Sequence, residues 1–187
     1  MPPRPPRPRR QHGFTLVEVL SVAAIASVVL SVAVPSLRTL IDSVAVTSAA
    51  NDLLGDLYLA RSNAVNRRQR VAVCRSADGD NCAASGGWEQ GWLVFVDTDN
   101  DGLRTVGEPL LHRQQALRSS VRLSGNSPVA SYVSYASDGA SKLAGGGFQS
   151  GTLTICAASE VPVTGRQIII GSGGRPRVQK VRLASCG

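Results

Sequence analysis

The sequence predicts an α+β chain in which one long amino-terminal helix, apolar and then amphipathic, packs on a domain of antiparallel strands. Three observations carry this. Residues 14 to 34 form a 21-residue apolar run whose only charge is Glu18. Apolar residues then recur at helical spacing through Leu37, Leu40, Ile41, Val44, Leu53, Leu54, Leu57, Ala60, Ala64 and Val65, leaving Asp42, Asp52, Asp56 and Arg61 for the opposite side. Beyond residue 69 the period changes to short β-rich runs separated by turn signals such as DGD, SGG, GNSP, AGGG and GSGG.

Residues 1–13 read as a leader, with Arg4, Arg7, Arg9 and Arg10 among five prolines and no acid. Removing those four positives takes the net charge from +7 to +3, so the leader is no argument for a nucleic-acid partner. Arginines before an apolar span hold that end in the cytoplasm and put the rest of the chain outside. Residues 14–35 have about the length needed to cross a ~30 Å hydrocarbon core and are expected to form the membrane-spanning half of the helix. Residues 36–66 are its amphipathic half, with Pro35 a kink between them. A carboxylate at mid-membrane costs roughly 2.5–3.5 kcal/mol, which makes Glu18 a candidate functional residue. An ordinary secretory signal peptide cut at Ser31-Val32-Ala33 is the competing reading, and it leaves Glu18 unexplained.

Residues 67–187 form the β-rich domain. Strands are expected at 70–74, 92–96, 109–113, 121–123, 131–135, 152–156, 167–171 and 177–183. The glycine-rich pieces at 145–147 and 171–174 match no phosphate-binding motif and read as turns. Four cysteines, Cys74, Cys82, Cys156 and Cys186, all follow the span, and in an oxidising compartment they form two disulfides. Three connectivities are open; nearest neighbours in sequence favour Cys74–Cys82 and Cys156–Cys186, with loop-closure entropies worth about 2.5 and 3.5 kcal/mol. Zinc is disfavoured because there is no CxxC and His112 is the only histidine outside the leader. Asp97, Asp99, Asp101, Gly102 and Glu108 match a calcium-loop spacing, but the flanking WLVFV and PLLHR are strands, so a polar turn is the better reading. No nucleophile–base pair stands out, so the chain reads as no enzyme and as needing no cofactor. His112, alone within an apolar strand pattern, reads as a core or strand histidine, and Trp88 and Trp92 are expected to be packing residues.

Residues 13–18 read GFTLVE: Gly13, then Phe14, and Glu18 at the fifth position after the glycine. With the basic leader before them and the apolar run after, they resemble the processing signature of type IV pilins and pseudopilins. The resemblance implies the pilin-like fold and a prepilin peptidase that cuts between Gly13 and Phe14 and methylates the new amine. It also implies partners among other pilins or pseudopilins, an inner-membrane protein with its domain in the periplasm, and later a place in a pilus or pseudopilus. The new ammonium lies about 6 Å of helix rise from Glu18, so this carboxylate can pair with the amine of its own or a neighbouring subunit during assembly. The stretch GWLVFVDTDNDGLRTVGEPLL, residues 91–111, resembles the GspH/FimT group of minor pilins and pseudopilins.

After Glu160 the chain has no acid but carries Arg166, Arg175, Arg177, Lys180 and Arg182. Gly174-Arg175-Pro176-Arg177 resembles a Gly-Arg-x-Arg element of FimT-like pilins linked to DNA uptake in natural transformation. Pro176 holds Arg175 extended, suiting the guanidiniums to phosphates, with Gly174, Arg175, Arg177, Lys180 and Arg182 as candidate DNA-binding residues. Strand alternation sends Arg177 to one face and Lys180 and Arg182 to the other. If about four cations meet phosphates, log K falls with log salt at a slope near −3.6. Solvated charges guarding a strand edge are the plainer reading. A minor pseudopilin of type II secretion, carrying protein rather than DNA, is the alternative function.

Overall fold

The computed structural model describes residues 15–158 and 163–186, without the side chains at 32, 35, 38 and 163. The predicted processing residues Gly13 and Phe14 lie outside the described residues. The chain divides into two units, residues 1–40 and 41–187. One helix, α1 (Leu16–Arg67), contributes to both, running through position 35 and ending one residue past the expected Asn66.

In the first unit every described side chain from Thr15 to Leu40 is exposed, including Leu16, Leu20, Ile25, Val28, Leu30 and Leu37. The hydroxyls of Ser21, Ser27 and Ser31 donate to the carbonyls of Glu18, Ala24 and Val28 at 2.9, 2.7 and 2.7 Å. Polar groups in this stretch are thereby satisfied within the helix. Among the described residues no helix is long and apolar enough to cross a membrane. The expected span draws on Phe14 and on the side chains of Val32 and Pro35, which lie outside what is described.

In the second unit the buried stripe of α1 is Val46, Ala49, Ala50, Leu53, Leu57, Ala60 and Ala64. This corrects the expected stripe at both ends, since Leu37, Leu40, Ile41, Val44 and Val65 are exposed. Stepping from 44 to 46 breaks the three-to-four spacing, so the packing face starts anew at Val46.

The strands are β1 (Val71–Arg75), β2 (Trp92–Val96), β3 (Leu110–Gln114), β4 (Val121–Gly125), β5 (Tyr132–Tyr135), β6 (Gly151–Ala157), β7 (Val163–Ile170) and β8 (Pro176–Leu183). They form two four-stranded antiparallel sheets, ordered β3-β2-β1-β5 and β4-β6-β7-β8. One core joins the helix stripe to Val71, Val73, Trp92, Val94 and Tyr135 of the first sheet and Leu123, Leu153, Ile155, Ile168 and Ile170 of the second. The first sheet is buried on its other face too, where Ala72, Cys74, Leu93 and Phe95 meet Cys82, Leu110 and Tyr132. WLVFV is therefore apolar without alternation, as a strand covered on both sides must be. Both expected disulfides are formed, Cys74–Cys82 and Cys156–Cys186, with Cα separations of 5.6 and 5.8 Å.

Candidate functional site

The turn from β7 to β8 carries the Gly-Arg-Pro-Arg sequence on an edge strand. Gly174 is buried at φ +73°, and a Cβ there would stand 2.1 Å from the Gly139 carbonyl oxygen. Only glycine permits both this conformation and this approach. Pro176 is also buried, and its carbonyl accepts a hydrogen bond of 3.0 Å from the Tyr58 hydroxyl. Arg175, between these two fastened residues, is exposed. The loop that receives Gly174 is itself held, because Arg61 donates Nε–H to the Gly139 carbonyl at 3.0 Å.

Register separates the cations along β8. Arg177 lies opposite Ile169, whereas Lys180 and Arg182 lie opposite Arg166 and Thr164. Arg166 faces α1, donating to Thr47 Oγ1 at 3.4 Å, so Lys180 and Arg182 share that face and Arg177 takes the other. Arg175 and Arg182 are about 23 Å apart along the strand. None of Arg175, Arg177, Lys180 and Arg182 meets a carboxylate among the described residues. The five residues proposed from sequence thus divide into a fastened turn, Gly174 to Arg177, and a separate pair, Lys180 and Arg182, further along β8 on the face of Arg166.

Glu18 sits in the first turn of α1. Its backbone N–H donates to Thr15 Oγ1 at 3.3 Å, so Thr15 caps the helix. Thr15-x-x-Glu18 has the spacing of a capping box, a signal present in the sequence and passed over there. The carboxylate also sits favourably at the positive end of the helix dipole.

In the loop between β2 and β3, Asp97, Asp99 and Glu108 each bring an oxygen within 4.8 Å of the others, and these three could approach a cation. Asp101, the fourth residue of the calcium pattern, instead accepts from the Leu103 N–H at 2.6 Å. Asp97 accepts from the N–H groups of Asp101 and Gly102 at 3.1 and 3.2 Å. Glu108 accepts from the Thr98 N–H, the Thr98 hydroxyl and the Thr105 N–H at 2.6, 3.0 and 2.9 Å. Burial pushes the Asp97 carboxyl up to about 6, against the Gly102 N–H and Arg70, which pull it down. The loop's buried acids act as acceptors for its own backbone.

Asp56, expected on the solvent side of the helix, is buried, and Arg61 is half-buried. Asp56 accepts from Trp92 Nε1–H at 2.7 Å and lies 3.6 Å from His112 Nε2. Burial raises its carboxyl while Trp92 and His112 lower it. Trp88, also buried, donates Nε1–H to the Val129 carbonyl at 3.1 Å. Both tryptophans are core residues with a polar anchor each.

The sequence profile of the family described as Type II transport protein GspH matches residues 49–174. The chain belongs to this family. A second profile, the prokaryotic N-terminal methylation motif, matches residues 8–34 and covers GFTLVE. The GspH-family chain has the pilin-like fold of the type IV minor pilin FimU from Pseudomonas aeruginosa PAO1. They align with a TM-score of 0.55 at 22% identity, over 76% of this chain and 95% of FimU. The minor pseudopilin EpsH from the Vibrio cholerae type 2 secretion system aligns over 73% of this chain and 96% of its own, with 13% identity and a TM-score of 0.47. Competence protein ComGD of Bacillus subtilis (strain 168) is 36% identical over 63 residues, 34% of this chain. The match spans 44% of ComGD, less than half of that relative's length. This GspH-family protein is a minor type IV pilin or pseudopilin.

Proposed function

We propose that this chain is a FimT-like minor pilin that enters a type IV pilus and binds DNA through the turn at Gly174–Arg177 for uptake in natural transformation. The observation that carries this is Arg175, exposed and without a carboxylate partner among the described residues, between a buried Gly174 locked on Gly139 and a buried Pro176 tied to Tyr58. A cation presented on so rigid a turn needs little ordering to meet a phosphate. One relative bears the name competence protein, which points the same way.

The rest of the reading follows the methylation motif. A prepilin peptidase cuts after Gly13 and Phe14 is methylated. Residues 14–35 cross the inner membrane once, with the amino terminus in the cytoplasm and the β domain in the periplasm. Glu18 pairs with a terminal amine as the subunit joins other pilins. The exposed apolar side chains of the first unit supply the surface that lipid or neighbouring helices would cover. The protein acts by binding and assembly, not by catalysis. The GspH description supports a second reading, a minor pseudopilin of type II secretion, in which the basic turn has no nucleic-acid partner.

Two experiments test this. Mass analysis of membrane-extracted protein should find a chain starting at methylated Phe14; a start at Val34 would contradict it. Cells carrying Arg175→Gln with Arg177→Gln should keep normal protein levels and lose transformation. Undiminished transformation would favour the secretion reading.

A further inference from the structure

Beside the basic turn, Tyr58, Arg61, Ser62, Val65 and Asn66 line a hollow of about 360 Å³ on α1. Both residues flanking Arg175 are tied to this helix face. Gly174 rests on Gly139, whose carbonyl is held by Arg61, and Pro176 is held by Tyr58. Arg61 uses only its ε N–H in this; among the described residues its terminal amino groups donate to no acceptor and meet no carboxylate. Four donors in a planar fork remain available, the arrangement that matches a phosphate. The charge of Arg61 also reaches Tyr135, whose hydroxyl is fully buried and has no hydrogen-bond partner. Among the described residues nothing answers this pair of unused donor groups. Lys180, by contrast, is about 13 Å along the strand from Pro176, and Arg177 is on the outer face of its sheet.

We infer that Arg61 is a further phosphate-contacting residue, and that the hollow beside it receives a backbone phosphate of the same DNA that Arg175 holds. The inference rests on the DNA-binding reading above and extends it from a terminal turn to a track that includes the helix. The exposed hydroxyl of Ser62 and amide of Asn66 border the same hollow, so a negative charge added there should repel the ligand.

The test is fluorescence anisotropy of a labelled duplex of about 30 base pairs with the full chain in detergent micelles, between about 50 and 200 mM salt. Arg61→Gln should bind about fivefold more weakly at the low-salt end and flatten the log K against log salt slope by about 0.9. Arg61→Lys should retain the slope. Ser62→Glu, which leaves the Arg61–Gly139 bond alone, should also weaken binding, and it decides the matter if Arg61→Gln does not fold. If Arg175→Gln flattens the slope while Arg61→Gln and Ser62→Glu bind like the parent, the helix hollow is no part of the site although the basic turn is. If the parent does not bind, or Arg175→Gln binds as the parent does, both readings fall.

Discussion

The connection between β2 and β3, residues 97–109, and the turn from β7 into the start of β8, residues 171–177, both contain glycine and carry charge, yet they spend it in opposite directions. In the first, Asp97 and Glu108 are buried and face inward, each oxygen accepting from the loop's own N–H or hydroxyl groups. In the second, Gly174 and Pro176 are buried while Arg175 and Arg177 are exposed and meet no carboxylate among the described residues. Acids in a row look like a binding site, yet two of them, Asp97 and Glu108, accept hydrogen bonds from the loop's own backbone. Cations in a row look like a solvated edge, but the backbone on either side of Arg175 is fastened, at Gly174 against Gly139 and at Pro176 to Tyr58. What separates the two is where the hydrogen bonds go, which composition does not reveal.

Several variants would break or sharpen this contrast. The largest effect is expected from Gly174→Ala, which sets a methyl against the Gly139 carbonyl at a positive φ. Strain and clash together should cost at least about 3 kcal/mol in urea unfolding, a loss no exposed turn would suffer. Glu108→Ala comes next, leaving the N–H groups of Thr98 and Thr105 without their acceptor, and should cost about 2–3 kcal/mol. Both values are read from urea midpoints at neutral pH.

The pH dependence of the acidic loop gives a smaller effect with a defined sign. Folded Asp97 titrates at about 6, above the ~3.9 of an unfolded aspartate, so the folded state holds its proton more tightly. That contribution to stability is complete below about pH 4 and is lost as pH rises through 6. Discounted for partial solvent access, the loss is about 1–2 kcal/mol. The difference between parent and Asp97→Asn unfolding energies should therefore change across pH 4–6 and stay flat above it. Adding calcium at neutral pH should leave the melting temperature of the parent unchanged. A rise of several degrees would mean that Asp97, Asp99 and Glu108 hold an ion after all.

Much of the fold was legible because its periods are clean. Each of the eight expected strands overlaps an observed one, and the helix ends within a residue of its expected end. Division into two sheets was not legible, since it depends on β1 pairing with distant β5 as well as β2. Periodicity also misplaced Asp56, because an acid on a buried face is tolerated only where a donor such as Trp92 waits, and that partner is 36 residues away. The Gly-Arg-Pro-Arg turn could be located from its residues. Its fastening to Tyr58 and Gly139 could not, as those contacts join segments more than thirty residues apart. Thr15-x-x-Glu18 is the reverse case, a local signal readable from spacing alone.

The most direct test of the open basic turn is the salt dependence of duplex DNA binding by the full chain, compared with the Arg175→Gln, Arg177→Gln double variant. Two lost phosphate contacts should flatten the log–log slope by about 1.8 and weaken binding at low salt, with the urea midpoint unchanged. Equal slopes and equal affinities for the two proteins would contradict the account.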